Sequence, residues 1–257
     1  MKALEVINLK KHFGGVTAVN DLSFFVEEFE TVGIIGPNGA GKTTVFNLIT
    51  GLNRPDAGKS LYFGQELTDL APYRLAHLGI SRTFQNLRLF NSLSVLQNIT
   101  APLLGQEGYG LSQAIFRTRR FVRLEQSAKD QAGTLLDFFQ LSGKASFPAN
   151  SLPYGEQRKL ELARALSIKP RLLLIDEPGA GMNPREIRGL VKILKEVKER
   201  FRLTIVIIEH QMGLIMNVSD RVVVMDFGQK IAEGLPAEVK KNRKVIEAYL
   251  GEENPVC

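Results

Sequence analysis

Gly36-Pro37-Asn38-Gly39-Ala40-Gly41-Lys42-Thr43 is the stretch that decides the fold. It follows the apolar run Thr31–Ile35, which reads as a buried strand, and precedes Thr44–Thr50, where Val45, Leu48 and Ile49 recur at helical spacing. Glycines at these positions let successive backbone N–H groups turn toward one anion, and a helix N-terminus adds a positive dipole. Lys42 then reaches terminal phosphates, and the Thr43 hydroxyl ligates Mg²⁺. A glycine-rich turn with a chance Lys-Thr would arise in roughly one random chain in a hundred. The flanking strand and helix make chance rarer still, so the stretch reads as a nucleotide site.

Working outward, the opening reads as strands at Leu4–Leu9, Leu22–Val26 and Leu61–Phe63. Three further short apolar runs, Arg171–Ile175, Thr204–Ile208 and Arg221–Met225, have the composition of strands covered on both faces. Ile187, Leu190, Val191, Leu194 and Val197 form a helical stripe between two of them. Strands alternating with helices predict a mostly parallel sheet with right-handed crossovers. The stretch from about Asn86 to Ile168 has few strand signals and helical patterns at Ser94–Leu104, Leu124–Phe139 and Gly155–Ser167. The expected fold is therefore α/β: a phosphate-loop NTPase core with an N-terminal antiparallel β-subdomain and an inserted α-helical subdomain. The expected limits are one domain over 4–250, with core and β-subdomain at 4–85 and 169–250 and the helical part at 86–168.

Composition bounds the rest. The 257 residues are 44% hydrophobic, ordinary for a globular chain with a full core, and no run approaches the ~20 apolar residues of a membrane span. Met1–Glu5 leads into no signal-peptide core. The one cysteine, Cys257, provides neither a disulfide framework nor a cysteine metal site. The net charge of +6 suits nucleotide, anionic headgroups or nucleic acid without separating them. The densest basic run, Arg117–Arg123, reads as a solvated helix face.

Other polar residues stand where strands end. Leu172–Ile175 runs into Asp176 and Glu177 at the sheet edge where ligands gather, an Asp suited to Mg²⁺ and a Glu placed to orient or deprotonate water. Gln85, after Arg82-Thr83-Phe84, is a candidate for Mg²⁺ or that water. His210 follows Thr204–Ile208 and Glu209, and a lone histidine there is more often structural than catalytic. Leu152-Pro153-Tyr154-Gly155-Glu156-Gln157 opens a helix whose N-terminus suits an anion.

These pieces, in this order and across nearly the whole chain, resemble the ATPase subunit of an ATP-binding cassette (ABC) transporter. The resemblance implies that Phe13 stacks on adenine and that Gly36, Pro37, Asn38, Gly39, Ala40, Gly41, Lys42, Thr43 and Thr44 hold ATP. It implies Mg²⁺ at Thr43, Gln85 and Asp176, with Glu177 as catalytic carboxylate, His210 as switch histidine and Gln85 as sensor of the γ-phosphate. Leu152, Pro153, Tyr154, Gly155, Glu156 and Gln157 match the family signature, which acts on the ATP of a second ATPase subunit. Ala180–Asn183 falls at the loop that crosses between the two. Two such subunits sandwich two ATP molecules, closure moves two transmembrane permease subunits, and hydrolysis resets them. The implied place is the cytoplasmic face of the membrane, as a peripheral subunit.

The chain departs from the family pattern at Pro153, where Ser is usual, at Tyr154, where Gly is usual, and at Asn183, where Asp is usual. All three serve the partner's site, so the expected partner is a non-identical sister subunit. Leu152–Gln157, Arg82–Asn86 and the long insertion around Gln106–Lys129 look like the branched-chain amino acid uptake group, which serves a solute-binding protein indirectly. Another ABC importer or exporter is the alternative. A soluble nucleic-acid-associated cassette is less expected, because its usual forms carry two cassettes or a long coiled coil, and no nucleic-acid partner is expected.

Overall fold

The computed structural model describes residues 1–106 and 111–250. Cys257, and residues 107–110 of the insertion expected around Gln106–Lys129, lie outside them. The described chain divides into two compact units, one formed by Met1–Arg82 with the segment from Arg171 onward, the other by Thr83–Pro170.

The first unit holds two sheets. β1 (Lys2–Phe13), β2 (Val16–Glu27), β4 (Ala57–Tyr62) and β5 (Gln65–Glu66) make an antiparallel sheet in the order β2-β1-β4-β5. Val19, Leu22, Phe24 and Val26 of β2 are buried with exposed or half-buried residues between them, the alternation of a sheet covered on one face. The second sheet contains β3 (Thr31–Ile35), β6 (Ile80–Arg82), β7 (Leu172–Asp176), β8 (Thr204–Ile208), β9 (Arg221–Asp226) and β10 (Gln229–Gly234), in the order β10-β9-β3-β8-β7-β6. Every pairing in it is parallel except β9 with β10. β3, β7 and β8 are buried at every residue, which matches their unbroken apolar runs. The α/β expectation, with its β-rich start and parallel sheet, is met.

The helix α1 (Lys42–Ile49) sits between the sheets. Its Val45, Phe46, Leu48 and Ile49 share one core with Leu4, Leu9 and Leu22 of the first sheet and Ile34, Leu174, Val206 and Val223 of the second. α2 (Pro72–His77) precedes β6. Three strands escaped the sequence patterns, the two-residue β5 among them. β6 has three residues, too few to show a period, and β10 returns beside β9 through a turn with Phe227 at φ 42° and Gly228 at φ 77°. β6 and β7 are neighbours in the sheet, yet the whole second unit is threaded between them in sequence.

That second unit is helical, with α3 (Val95–Gln106), α4 (Leu111–Ile115), α5 (Arg119–Phe138) and α6 (Tyr154–Ser167). α3, α5 and α6 pack on one another, and Val95, Ile99, Ala132, Leu136, Leu160 and Ala163 of these helices are buried. The basic run belongs to the α4–α5 junction, where Thr118 caps α5 by accepting from the Phe121 N–H, and α5 therefore starts five residues before the expected Leu124. The remaining helices are α7 (Pro184–Phe201), α8 (Met212–Val218), α9 (Pro236–Val239) and α10 (Arg243–Leu250), all in the first unit.

Candidate functional site

The parallel strands end in step. Ile34 pairs with Ile208 and Asp176 with Ile208, so the segments leaving β3, β7 and β8 emerge side by side at one sheet edge. The Glu177 N–H bonds to the Ile208 carbonyl at 2.9 Å, and the Glu209 N–H to the Ile34 carbonyl at 3.4 Å.

The phosphate loop leaves β3 in a conformation that only glycine tolerates at its ends. Gly41, just before α1, has φ 93°, and a Cβ there would lie 2.1 Å from the Ala18 carbonyl oxygen. A Cβ on Gly36 would lie 2.1 Å from the Met225 carbonyl oxygen. The close approach of backbone to backbone therefore requires both. Lys42 is buried, and its ammonium donates to the carbonyls of Gly36 and Pro37, both at 2.7 Å. The loop thus wraps the head of its own lysine and holds it at the loop's centre. Thr43 is exposed and Thr44 half-buried at the first turn of α1.

Asp176 ends β7 in a buried setting. Its Oδ2 accepts from Arg82 at 2.9 Å, and the same guanidinium donates to Asn47 Oδ1 at 2.8 Å and Thr50 Oγ1 at 3.0 Å on α1. Burial pushes the Asp176 carboxyl up, opposed by the hydrogen bond and charge of Arg82 and more weakly by Lys42. The second oxygen, Oδ1, is buried without a hydrogen-bond partner. A buried carboxylate oxygen with an unused lone pair is what a hard divalent cation takes. Among the described residues no group of three or more His, Cys, Asp and Glu forms a metal cage.

Glu177 follows at φ 43°, an unusual backbone conformation for a residue with a Cβ. His210 Nδ1 lies 3.7 Å from Glu177 Oε2 and 3.4 Å from Glu209 Oε2, on a half-exposed ring. Phe13, at the end of β1, is exposed with the Lys11 ammonium 5.5 Å from its ring centre. The first unit thus brings the loop, Asp176, Glu177 and His210 to one edge.

Gln85 and the signature belong to the second unit. Gln85 is exposed, and its carbonyl accepts from Arg158 at 2.6 Å. Pro153 is the N-cap of α6 and places no side-chain acceptor there; its carbonyl accepts from the N–H groups of Glu156 and Gln157 instead. Gln157 Nε2 donates to the Leu152 carbonyl at 2.8 Å, and Glu156 pairs with Lys144 at 2.6 Å. Asn183 caps α7, its Oδ1 accepting from Arg185 and Glu186 while Glu186 accepts from the Asn183 N–H.

An α/β core with a glycine loop at one strand end, two carboxylates at another and a helical insertion is distinctive in this order. The ABC transporter family model matches residues 19–180. This chain belongs to the ABC transporter family. A second model, the branched-chain amino acid ATP-binding cassette transporter, matches residues 229–254 of the cassette. The cassette is 41% identical to the high-affinity branched-chain amino acid transport ATP-binding protein LivG of Salmonella typhimurium, over 97% of this chain and 98% of that one. It is 40% identical over the same shares to BraF of Pseudomonas aeruginosa, and 36% identical to a probable LivG of Archaeoglobus fulgidus over 98% and 96%. The ADP conformation of MJ1267, an ATP-binding cassette of an ABC transporter, superposes with a TM-score of 0.84 at 33% identity, covering 98% of this chain and 99% of that chain.

Three residues of the cassette that the sequence patterns left unassigned join the candidate set. Arg82 binds Asp176. Arg158 grips the segment at Phe84 and Gln85. Glu209 has a fully buried side chain (0% exposed) whose oxygens accept from the N–H groups of Gly179, His210 and Gln211 at 2.8, 2.7 and 3.0 Å. The one hint in sequence was a charged residue lodged beside an apolar run, and only the fold says which charges are internal.

Proposed function

We propose that the cassette is the ATP-hydrolysing subunit of an importer for branched-chain amino acids. The carrying observation is the likeness to LivG and BraF across nearly the whole chain, at 40–41% identity. The match of residues 229–254 to the branched-chain amino acid model supports the same substrate class. In the proposed importer separate permease subunits carry the solute, and the cassette sits against them at the cytoplasmic membrane face; among its described residues no helix is long and apolar enough to cross a membrane.

In this reading the chain's own residues divide the work. The N–H groups of the loop from Gly36 to Lys42 bind the phosphates, and the Lys42 ammonium exchanges its two carbonyl partners for phosphate oxygens. Phe13 offers a ring face to adenine. Asp176 Oδ1 and Thr43 would hold Mg²⁺, which would supply neutralisation of phosphate charge. Glu177 takes the proton of the attacking water, and His210, 3.7 Å from it, steadies the γ-phosphate side of the site. Gln85 reports occupancy to the helical part. The six signature residues act on the ATP of a second subunit, a non-identical sister.

Glu177→Gln tests the reading. The variant is expected to bind ATP with Mg²⁺, to retain it in a stable dimer and to lose hydrolysis and leucine uptake in reconstituted vesicles. Hydrolysis at the unaltered rate would remove Glu177 from the catalytic role.

A further inference from the structure

The signature position Tyr154 is not idle. Arg158, one turn further along α6, is 4% exposed and uses all five of its N–H donors. Nε donates to the Tyr154 hydroxyl at 3.1 Å. One terminal nitrogen donates to the Phe84 carbonyl at 3.1 Å and to Glu161 Oε2 at 3.0 Å. The other donates to the Gln85 carbonyl at 2.6 Å and to the Tyr154 hydroxyl at 2.9 Å. Glu161, itself buried, accepts from the Phe84 N–H at 3.4 Å through its other oxygen. Further along, Arg164 of the same helix donates to the Arg88 carbonyl.

We infer that Arg158, completed by the Tyr154 hydroxyl, is a positioning residue that ties the Gln85 backbone to the signature, so that the two move as one body. A buried guanidinium that gives up an acceptor is left with a desolvated donor. Displacing Phe84–Gln85 by more than a fraction of a hydrogen bond's length therefore drags Arg158, and with it the first turn of α6. A glycine at position 154, usual in the family, has no hydroxyl and would leave Nε and one terminal N–H without acceptors. The exchange of Gly for Tyr thereby acquires a function within this chain: it stiffens the strap between the γ-phosphate sensor and the segment offered to the partner's ATP.

The inference rests on the proposed ATPase reading, and hydrogen exchange separates the two. The full chain carrying Glu177→Gln is compared with and without ATP and Mg²⁺, then with Tyr154→Phe or Arg158→Lys added. Protection at 36–43 reports bound nucleotide. The expected result is that ATP slows exchange at both 84–90 and 150–158. Tyr154→Phe should cut the response at 150–158 by about thirtyfold, the size of the two net hydrogen bonds its hydroxyl accepts, while that at 84–90 persists. Adding Tyr154→Phe to Arg158→Lys should change nothing further, since the hydroxyl acts through the arginine. An equal response at 150–158 in both variants overturns the strap alone. So does additivity of the two substitutions, or loss of protection already present without nucleotide, which marks a purely structural role. No protection at 36–43 overturns the ATP reading and the strap together.

Discussion

The pair Arg82–Asp176 concentrates the electrostatics of the core at one residue contact. Both side chains are buried, and Arg82 also ties β6 to α1 through Asn47 and Thr50. Removing one partner of such a pair leaves an uncompensated buried charge, at a cost of about 3–5 kcal/mol. Arg82→Ala is therefore expected to lower the thermal midpoint markedly, whereas Arg82→Lys, keeping the charge but not the fork, should fall between; thermal unfolding by circular dichroism decides. Gly41→Ala is a second residue-scale case. Its φ of 93° and the Ala18 carbonyl oxygen 2.1 Å from the added Cβ force the loop to shift, so nucleotide affinity should drop by at least tenfold, read by fluorescent ATP titration. Glu209→Gln replaces one of two acceptor oxygens facing three N–H groups with a donor. We expect the loop at Gly179 to loosen and turnover to fall with little change in ATP affinity, measured as a split between kcat and KM.

Among the elements, α7 owes its start to Asn183, and the reading of that residue changes accordingly. As a departure from an interface Asp it pointed to an altered crossing loop. In the structure it is a complete N-cap with a reciprocal bond from Glu186, a role Asn and Asp fill equally well. Asn183→Asp should thus be nearly neutral in stability and Asn183→Ala should cost about 1 kcal/mol, checked by urea unfolding. Asn183 accordingly says little about the sister subunit, and Pro153 remains the stronger departure, since it removes the hydroxyl at the α6 N-cap. At the β-sheet, Asp56 clamps β1 by accepting from Lys11 at 2.7 Å and from the His12 N–H at 2.6 Å. These bonds, the lysine's first, hold its carboxyl down at about 2. Because the folded value lies below the ordinary 3.8, the stabilisation is complete above that value and is lost as pH falls from about 4 toward 2. Asp56→Asn should flatten the acid limb of the unfolding profile across that window.

For the whole molecule, the six signature residues and the phosphate loop lie in different compact units of one chain, and in the proposed function each serves a different ATP. The test belongs to the assembled transporter. On the proposed pairing with a non-identical sister, Glu177→Gln in this chain is expected to cost more transport than the equivalent change in the sister, because in that pairing this chain's ATP meets a complete signature while the sister's meets Pro153 and Tyr154. Equal losses would sink the unequal-sites idea.

How much of this was legible beforehand follows from which interactions are local. The phosphate loop, the buried strands β3, β7 and β8 and the stripe of α7 are written in short-range pattern: glycine spacing, unbroken apolar runs, a 3.6-residue period. Their places at strand ends put Asp176 and Glu177 in the candidate site by sequence alone. Strands of three residues or those formed by a hairpin return, β6 and β10, carry too little pattern to announce themselves. The side chains of Arg82, Arg158 and Glu209 find hydrogen-bond partners as far as 94, 74 and 30 residues away. Such contacts exist only once strands and helices have been packed, because a charge declares itself internal by the acceptors that surround it. The sequence by itself determined the buried strands, the helical stripe of α7 and the candidate nucleotide loop between β3 and α1. Tertiary structure decided how the site is wired, since burial turns ordinary surface-type charges into fixed struts.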